Sequence, residues 1–303
     1  MELVKGSVAV ITGGGSGFGR EFGLLAAAAG MHVVLADVQA DALAQVSGEI
    51  KALGAEVLAQ TVDVSKADQV EALAEATMQR FGAVHLVFNN AGVGSGGLVW
   101  ENSLEDWNWV LGVNVFGVIH GVKSFVPRML ALAAKDPGYR GHVVNTASMA
   151  GLLTAPNMGI YNVSKHAVVA LTETLYQDLH LIDAPISASV LCPYFVPTGI
   201  SDSHRNAPSK IAAEGQTASQ KAAALMSSKA VSSGKVTARD VAERTFAAIR
   251  ADQFYIYSHP QALGNVQTRM EDIITIRNPS DPFQARPDLR DRLRGAIDAA
   301  SGH

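Results

Sequence analysis

The chain reads as an α/β fold, a doubly wound parallel sheet of about seven strands with helices on both faces, and three observations point there. Short β-branched runs alternate with longer helical patterns over most of the 303 residues, as a parallel sheet covered on both sides requires. A glycine-rich turn, TGGGSGFG over 12–19, falls where the first run ends and the first helical pattern begins. The composition, 48% hydrophobic and 17% charged, suits a chain that buries a large core.

The first strand is expected over 7–12 (SVAVIT), a compact apolar run that stops at the glycines. Helix 18–29, strand 32–37 (HVVLAD), helix 40–53 and strand 56–64 follow. In 66–81, Val70, Leu73, Ala74, Thr77 and Phe81 recur at helical spacing, so one stripe packs on the sheet. Strands at 85–89, 142–146, 187–191 and 254–257 complete the alternation. No internal repeat of fixed period interrupts it. A single domain is expected over 1–260, including a flap at about 198–235 rich in Ala, Ser, Lys and Gln, read as mobile and helical. Residues 261–303 form a helical extension and arm; with Pro279, Pro282, Pro287 and the RDRLR run at 290–294, the arm reads as solvated tail rather than partner-binding element.

Charge and cysteine content exclude several classes. Lys and Arg total 24 against 28 Asp and Glu, net −4, with no dense basic run, so no nucleic-acid partner is expected. The one cysteine, Cys192, permits no intrachain disulfide, which fits a reducing compartment. The opening MELVKGSVAVITGGG lacks an apolar core ending in a cleavage site. The longest nearly apolar stretch, 22–36, carries Gly30 and His32 and is too short for a bilayer. A cytoplasmic chain with no membrane partner is expected. No HExxH accompanies the nine histidines, so no metal is expected, and no GxSxG elbow offers a serine nucleophile.

Gly13, Gly17 and Gly19, with Ser16 and Phe18 between them, would allow a tight turn and close approach of backbone to a pyrophosphate. The helix start then offers unpaired N–H groups to the phosphates. Taken alone, the same glycines suit an ordinary strand-to-helix turn. Asp37 ends the second strand eighteen residues after Gly19, close to the offset of about 20 at which an acid meets ribose hydroxyls. Its carboxylate would accept from a 2′-OH and repel a 2′-phosphate carrying about −1.5 to −2 charges, favouring NAD over NADP. A helix N-cap is an equally ordinary use of Asp37, and compatible with the first.

The TGxxxGxG spacing, NNAG at 89–92, Asn114 in VNVFG, Ser148 in NTASMAG, and Tyr161 with Lys165 in YNVSK together resemble the short-chain dehydrogenase/reductase family over about residues 5–200. Ser148 and Tyr161 are thirteen residues apart, as in that family, and of six tyrosines only Tyr161 has lysine four residues on. The resemblance implies a Rossmann-type domain that transfers a hydride between a nicotinamide and an alcohol or ketone, with Asn114, Ser148, Tyr161 and Lys165 catalytic. It implies that Asn114 supports a water-filled proton path to Lys165. Asp63 and Val64 would flank the adenine, and Asn90, Ala91 and Gly92 the adenosine ribose. Pro193, Val196 and Thr198 match the segment that meets the nicotinamide, but Tyr194 stands where the family has glycine, placing bulk beside the expected reaction. Ser16 and Val38 occupy positions where NADP-binding members carry basic residues, again favouring NAD.

The chemistry also follows from spacing. Tyr161 and Lys165 are i and i+4, so on a helix they share a face. Lowering a phenol by two or three pKa units takes roughly 2.7–4 kcal/mol, and one cation at about 4 Å in an effective dielectric of 20 supplies about 4 kcal/mol. A single lysine is therefore expected to suffice for Tyr161 to act as general acid or base, with Ser148 orienting the substrate oxygen. His166 faces another side of the helix and reads as structural. The sequon Asn162–Ser164 falls inside the expected active-site helix and is not expected to be glycosylated. The loop 131–141, longer than usual, should not reach the chemistry.

Met149, Leu152, Leu153, Met158, Tyr194 and Phe195 are expected at the pocket rim, favouring an apolar or aromatic secondary alcohol or ketone, similar to family members that oxidise bulky or aryl alcohols. A non-catalytic dinucleotide sensor or scaffold and an NADPH-dependent 3-oxoacyl reductase remain as alternatives. Val168, Val169, Leu171, Leu175 and Leu179 exceed one narrow buried stripe. A homodimer or homotetramer, the usual assembly of the family, is expected to cover the surplus.

Overall fold

The structure, a computed structural model, describes residues 4–300; the expected domain and arm extend beyond these at 1–3 and 301–303. The strands are β1 (Val8–Thr12), β2 (His32–Asp37), β3 (Val57–Thr61), β4 (Leu86–Asn89), β5 (Gly141–Thr146), β6 (Ile186–Cys192) and β7 (Tyr255–Tyr257). They form one seven-stranded sheet in the order β3-β2-β1-β4-β5-β6-β7, every pair parallel. The order reverses between β1 and β4, which opens a crevice at the carboxyl ends of those strands. All seven strands fall where the sequence places them to within a residue at either end, except that the third is markedly shortened. The third stops at Thr61 because its partner β2 ends at Asp37, the last paired residue. Val62 and Val64 stay buried off the ladder, and the chain turns between them at Asp63.

The helices are α1 (Gly17–Ala28), α2 (Ala40–Ala52), α3 (Ala67–Phe81), α4 (Leu104–Leu111), α5 (Gly117–Ala133), α6 (Gly159–Leu181), α7 (Ser209–Glu214), α8 (Ala218–Ser232), α9 (Ala238–Arg250), α10 (Leu263–Ile274) and α11 (Pro287–Ala300). Two layers of core follow from the alternation of side chains across the strands. On one face Phe22 of α1 and Phe246 of α9 stack on either side of Phe88 of β4, with centroids 4.3 and 5.8 Å from it. On the other, Val10, Val34 and Val87 meet Val70 and Leu73 of α3 and Phe125 and Met129 of α5. The α3 stripe is buried at Val70, Leu73, Ala74 and Thr77, and the helix stops at Gly82, whose φ of 68° is left-handed.

Three expectations change. The apolar residues of α6 are no surface surplus: Val168, Val169, Leu175 and Leu179 are buried within this chain, and Leu171 packs partly buried against the same core. Phe116 and Val163 are among the apolar side chains that remain half exposed near these helices. A run longer than 22–36 also exists. Leu104–Ala133 is one continuous helical stretch, long and apolar enough to cross a bilayer. Here its Val110, Val118, Phe125 and Met129 are buried in the core, an outcome hidden by Glu105 and Asp106 before them and Lys123 and Arg128 between them. Finally, the arm is no solvated tail, because α11 packs along α8 of the flap with Leu293 buried.

Candidate active site

The crevice is floored by the turns that leave β1, β2, β4, β5 and β6. After β1, Gly13 has φ +65° and a Cβ there would lie 2.9 Å from Ala91 Cα; one on Gly19 would lie 2.0 Å from the Gly13 carbonyl oxygen. The turn therefore accepts no side chain at either position, and the α1 N-terminus stays open to the crevice. Thr12 joins it to the β4 turn: its Oγ1 accepts the N–H of Asn90 at 2.9 Å and of Ala91 at 3.1 Å. Asn90 Nδ2 donates to Thr12 O at 3.1 Å, and its Oδ1 accepts from Thr146 Oγ1 at 3.2 Å. Thr12 and Thr146 were missed as site residues, although Thr12 opens the glycine motif.

Asp37 ends β2 with both carboxylate oxygens engaged: Gly15 N–H donates to Oδ2 and Gln39 N–H to Oδ1, each at 2.9 Å. The N-cap of α2 is Gln39, so Asp37 braces the turn and does not cap the helix. Gln39 also reaches the flap, its Nε2 donating to Asn206 Oδ1 at 3.2 Å and its Oε1 accepting from Arg205 at 3.4 Å. Asp63 accepts the Ser65 N–H at 2.9 Å, and the Val64 carbonyl meets His120 Nδ1 at 2.9 Å.

Four residues gather at the other end. Asn114 lies in a π-helical turn, Gly112–Phe116, between α4 and α5, a distortion frequent at functional sites. Its Oδ1 accepts Val93 N–H at 2.8 Å, and its Nδ2 donates to Val93 O at 3.0 Å and Ser164 Oγ at 3.1 Å. Tyr161 and Lys165 sit one turn apart on α6, both buried, with Lys165 Nζ 5.6 Å from the centre of the Tyr161 ring. Nζ donates to Thr146 O at 2.9 Å. Ser148, after β5, donates to Pro193 O at 3.3 Å and accepts Ala150 N–H at 3.1 Å.

Burial governs the charges here. It pushes the Tyr161 phenol up to about 12, against which the Ser148 hydroxyl works, and Lys165 down to about 8. The expectation that one lysine lowers the phenol is thus corrected for the chain alone: the Coulomb sum left out the cost of removing both groups from water.

One cavity of about 2380 Å³ joins both ends. Gly13, Ser16, Gly17, Phe18, Asp37, Asp63, Val64, Asn90, Ala91, Gly92, Ser148, Tyr161, Lys165, Pro193, Val196 and Thr198 all line it. Gly19 and Asn114 stand behind the wall, one closing the turn, the other holding Val93. Leu153, Met158, Tyr194 and Phe195 line the rim as expected, whereas Met149 and Leu152 are buried in the core. The Tyr194 N–H donates to Ser258 Oγ at 2.8 Å and its ring lies 4.4 Å from that of Phe195. Among the described residues no group of His, Cys, Asp and Glu could hold a metal. His166 Nδ1 bonds Asn162 O at 2.8 Å, and its buried Nε2 has no partner among the described residues.

The flap is tied down at the start of α8. Ser219 Oγ donates to Glu101 Oε2 at 2.6 Å and accepts Leu98 N–H at 2.9 Å. Gln220 Nε2 donates to Asn102 Oδ1 at 3.1 Å and Asp106 Oδ2 at 3.0 Å. Composition suggested mobility; it carried no sign of these partners 114–121 residues away.

An open α1 N-terminus, glycines that clear backbone for a pyrophosphate and an acid at the second strand end fit a dinucleotide. Comparison with known proteins agrees. The short chain dehydrogenase family model matches residues 7–209. A CLA biosynthesis dehydrogenase/reductase of Lactiplantibacillus plantarum is 31% identical over 279 residues, 91% of this chain and 96% of that protein. The C alpha-dehydrogenase of a Sphingobium strain is 30% identical over 289 residues, 94% and 92% of the two chains. A crystal structure of a short chain dehydrogenase/reductase from Burkholderia phymatum in complex with NAD superposes with TM-score 0.90 at 54% identity, covering 93% of this chain and 99% of that one. The chain belongs to the short-chain dehydrogenase family and is a dinucleotide-binding oxidoreductase.

Proposed function

We propose that the chain interconverts an apolar or aromatic secondary alcohol and its ketone with NAD, Tyr161 carrying the proton. The observation that carries this reading is the convergence of Ser148, Tyr161 and Lys165 on one cavity wall. A sensor has no use for such a set. Asp37 supports NAD over NADP, since a carboxylate beside the second strand repels a 2′-phosphate, and it weighs against an NADPH-dependent acyl reductase. The structural relative crystallised with NAD points the same way. The name C alpha-dehydrogenase, borne by a relative, and the apolar rim of Leu153, Met158, Tyr194 and Phe195 support a bulky carbinol.

Gly13, Ser16, Gly17 and Phe18 would hold the pyrophosphate, Asp37 the adenosine ribose, Asp63 and Val64 the adenine, and Pro193, Val196 and Thr198 the nicotinamide end. When bound, the dinucleotide supplies the hydride acceptor and, oxidised, a positive ring charge near the phenol. Ser148 Oγ donates to the carbinol oxygen and holds it against Tyr161 Oη. In oxidation the phenolate takes the carbinol proton; in reduction the neutral phenol returns it to the ketone oxygen. The value of about 12 keeps the phenol loaded for reduction. For oxidation the phenolate must be favoured, and Lys165, at about 8, is still largely protonated at neutral pH and holds positive charge beside it. Thr146 O fixes that ammonium in place.

Tyr161→Phe tests the reading. Turnover of aryl and cyclic secondary alcohols with NAD, followed by reduced-nicotinamide absorbance, should fall roughly 10²–10⁴-fold. Fluorescence titration should show NADH still bound, and more tightly than NADPH. Undiminished turnover would remove Tyr161 from the mechanism, and tighter NADPH binding would overturn the assignment of NAD.

A further inference from the structure

The cavity extends well past the dinucleotide floor. At about 2380 Å³ it exceeds the roughly 300–1,000 Å³ of an ordinary ligand pocket, and its outer wall is the arm. Leu289, Leu293 and Ile297 of α11, four residues apart, line it as one helical stripe. Arg290, Arg292 and Arg294 line it too, whereas Asp288, Asp291 and Asp298 of the same helix do not. The helix therefore has an apolar and basic inner side and an acidic outer side.

These charges are unevenly matched. Arg290 is paired with Asp281, and Arg292 lies 3.7 Å from Asp288. Asp272, the other acid of the cavity wall in this region, is taken by Ser280 and by Arg277 at 3.1 Å. Arg294, Arg269 of α10 and Lys229 of α8 line the cavity with no ion pair or side-chain hydrogen bond among the described residues. Lys66 and Lys210 also line the cavity without an ion pair among the described residues, as does the acid Glu105; Arg294, Arg269 and Lys229 are the cations of this kind on α11, α10 and α8. Lys229 and Arg294 are exposed and Arg269 half-buried, so what they offer an anion is screened by salt.

We propose that the arm selects an apolar secondary alcohol that also carries an anionic group, its body lying along Leu289, Leu293 and Ile297 and its anion met by Arg294, Arg269 and Lys229. This rests on the alcohol–ketone reading and narrows its substrate class. A carboxylate and a phosphate ester present the same oxyanion chemistry.

The test is equilibrium binding to the full chain, by competition against an environment-sensitive dye. Three ligands share one arylalkyl body and end in a carboxylate, a phosphate monoester or a methyl ester. At least one anion should bind about tenfold or more tightly than the ester, with an advantage that shrinks as salt rises. The better of the two names the kind of anion. In Arg294→Gln/Lys229→Gln the advantage should vanish while the ester's affinity holds. Leu293→Ala should weaken all three ligands alike. Equal binding of the three, or an advantage that survives both the double substitution and high salt, overturns the proposal. Failure of the chain to turn over any secondary alcohol would instead remove the alcohol–ketone reading, and the binding comparison would still decide the arm.

Discussion

At the strand ends the site is shaped by backbone, and above it by side chains. Thr12 collects the N–H groups of Asn90 and Ala91, Asp37 those of Gly15 and Gln39, and Lys165 is pinned to the Thr146 carbonyl. Over the flap and arm, Gln220 bonds Asn102 and Asp106, Gln39 bonds Asn206, and arginines pair with aspartates. Groups bound to backbone cannot move without moving a strand or turn of the sheet, so the floor tolerates few alternatives. Side-chain pairs at a partly exposed roof can be exchanged at a cost of order 1 kcal/mol each. On the proposed reading, the chemistry belongs to the rigid part and the choice of substrate to the replaceable part.

The sharpest way to break this division is Gly19→Ala. With no room for a Cβ beside the Gly13 carbonyl, the turn must open, at about 1–3 kcal/mol of stability. NADH titration should show binding lost, and turnover of every alcohol lost with it. A variant that merely reordered preference among alcohols would show that the floor, too, selects.

Gln220→Ala comes next. It removes the Gln220 bond to buried Asp106, which keeps those from the Ser103 N–H and hydroxyl, and it releases the start of α8, costing about 1 kcal/mol in urea unfolding. The KM for bulky alcohols should rise severalfold while NADH affinity is kept. Weakening of NADH binding to the same degree would join roof and floor into one unit.

The smallest effect is a pH dependence inside the floor. Lys165 falls to about 8 in the folded chain from 10.5, so between those values the unfolded chain binds more protons and stability contributed by this group rises with pH. The cost of burying the ammonium is fully present below about 8 and is relieved above it. Urea midpoints for the parent and Lys165→Met, compared at pH 8 and pH 10, should diverge in the parent's favour, because other titrations cancel in the difference. A constant difference would mean that Lys165 is not desolvated.

This division also explains what was legible from sequence. Gly13, Gly17, Gly19 and the Tyr161–Lys165 pair act through local spacing, so residue type and interval were enough to place them. Asn114 could be named from its motif, but its inward aim needed the π-helical turn, which no periodicity announces. The apolar surplus of α6 was read as a surface because the cover supplied by β5, β6 and the loop after Ser148 is non-local. In the arm, Leu289, Leu293 and Ile297 already had helical spacing, but the alternating charges of RDRLR masked the stripe. The value at Tyr161 was out of reach, since spacing reports the distance to a charge and says nothing about how dry the place is.

The widened turn at Gly112–Phe116 carries one further consequence. Each residue of a regular helix rotates its successor by about 100°, so an added residue acts as a phase shift between the segments on either side. Before the shift, Val110 addresses the inner loops; after it, Val118, Phe125 and Met129 address the sheet. Removing one residue from the turn would restore regularity and leave the two halves out of step, so that seating Phe125 would swing Asn114 off Val93. One irregular turn thus lets a single rod serve two masters that a straight helix could satisfy only in alternation.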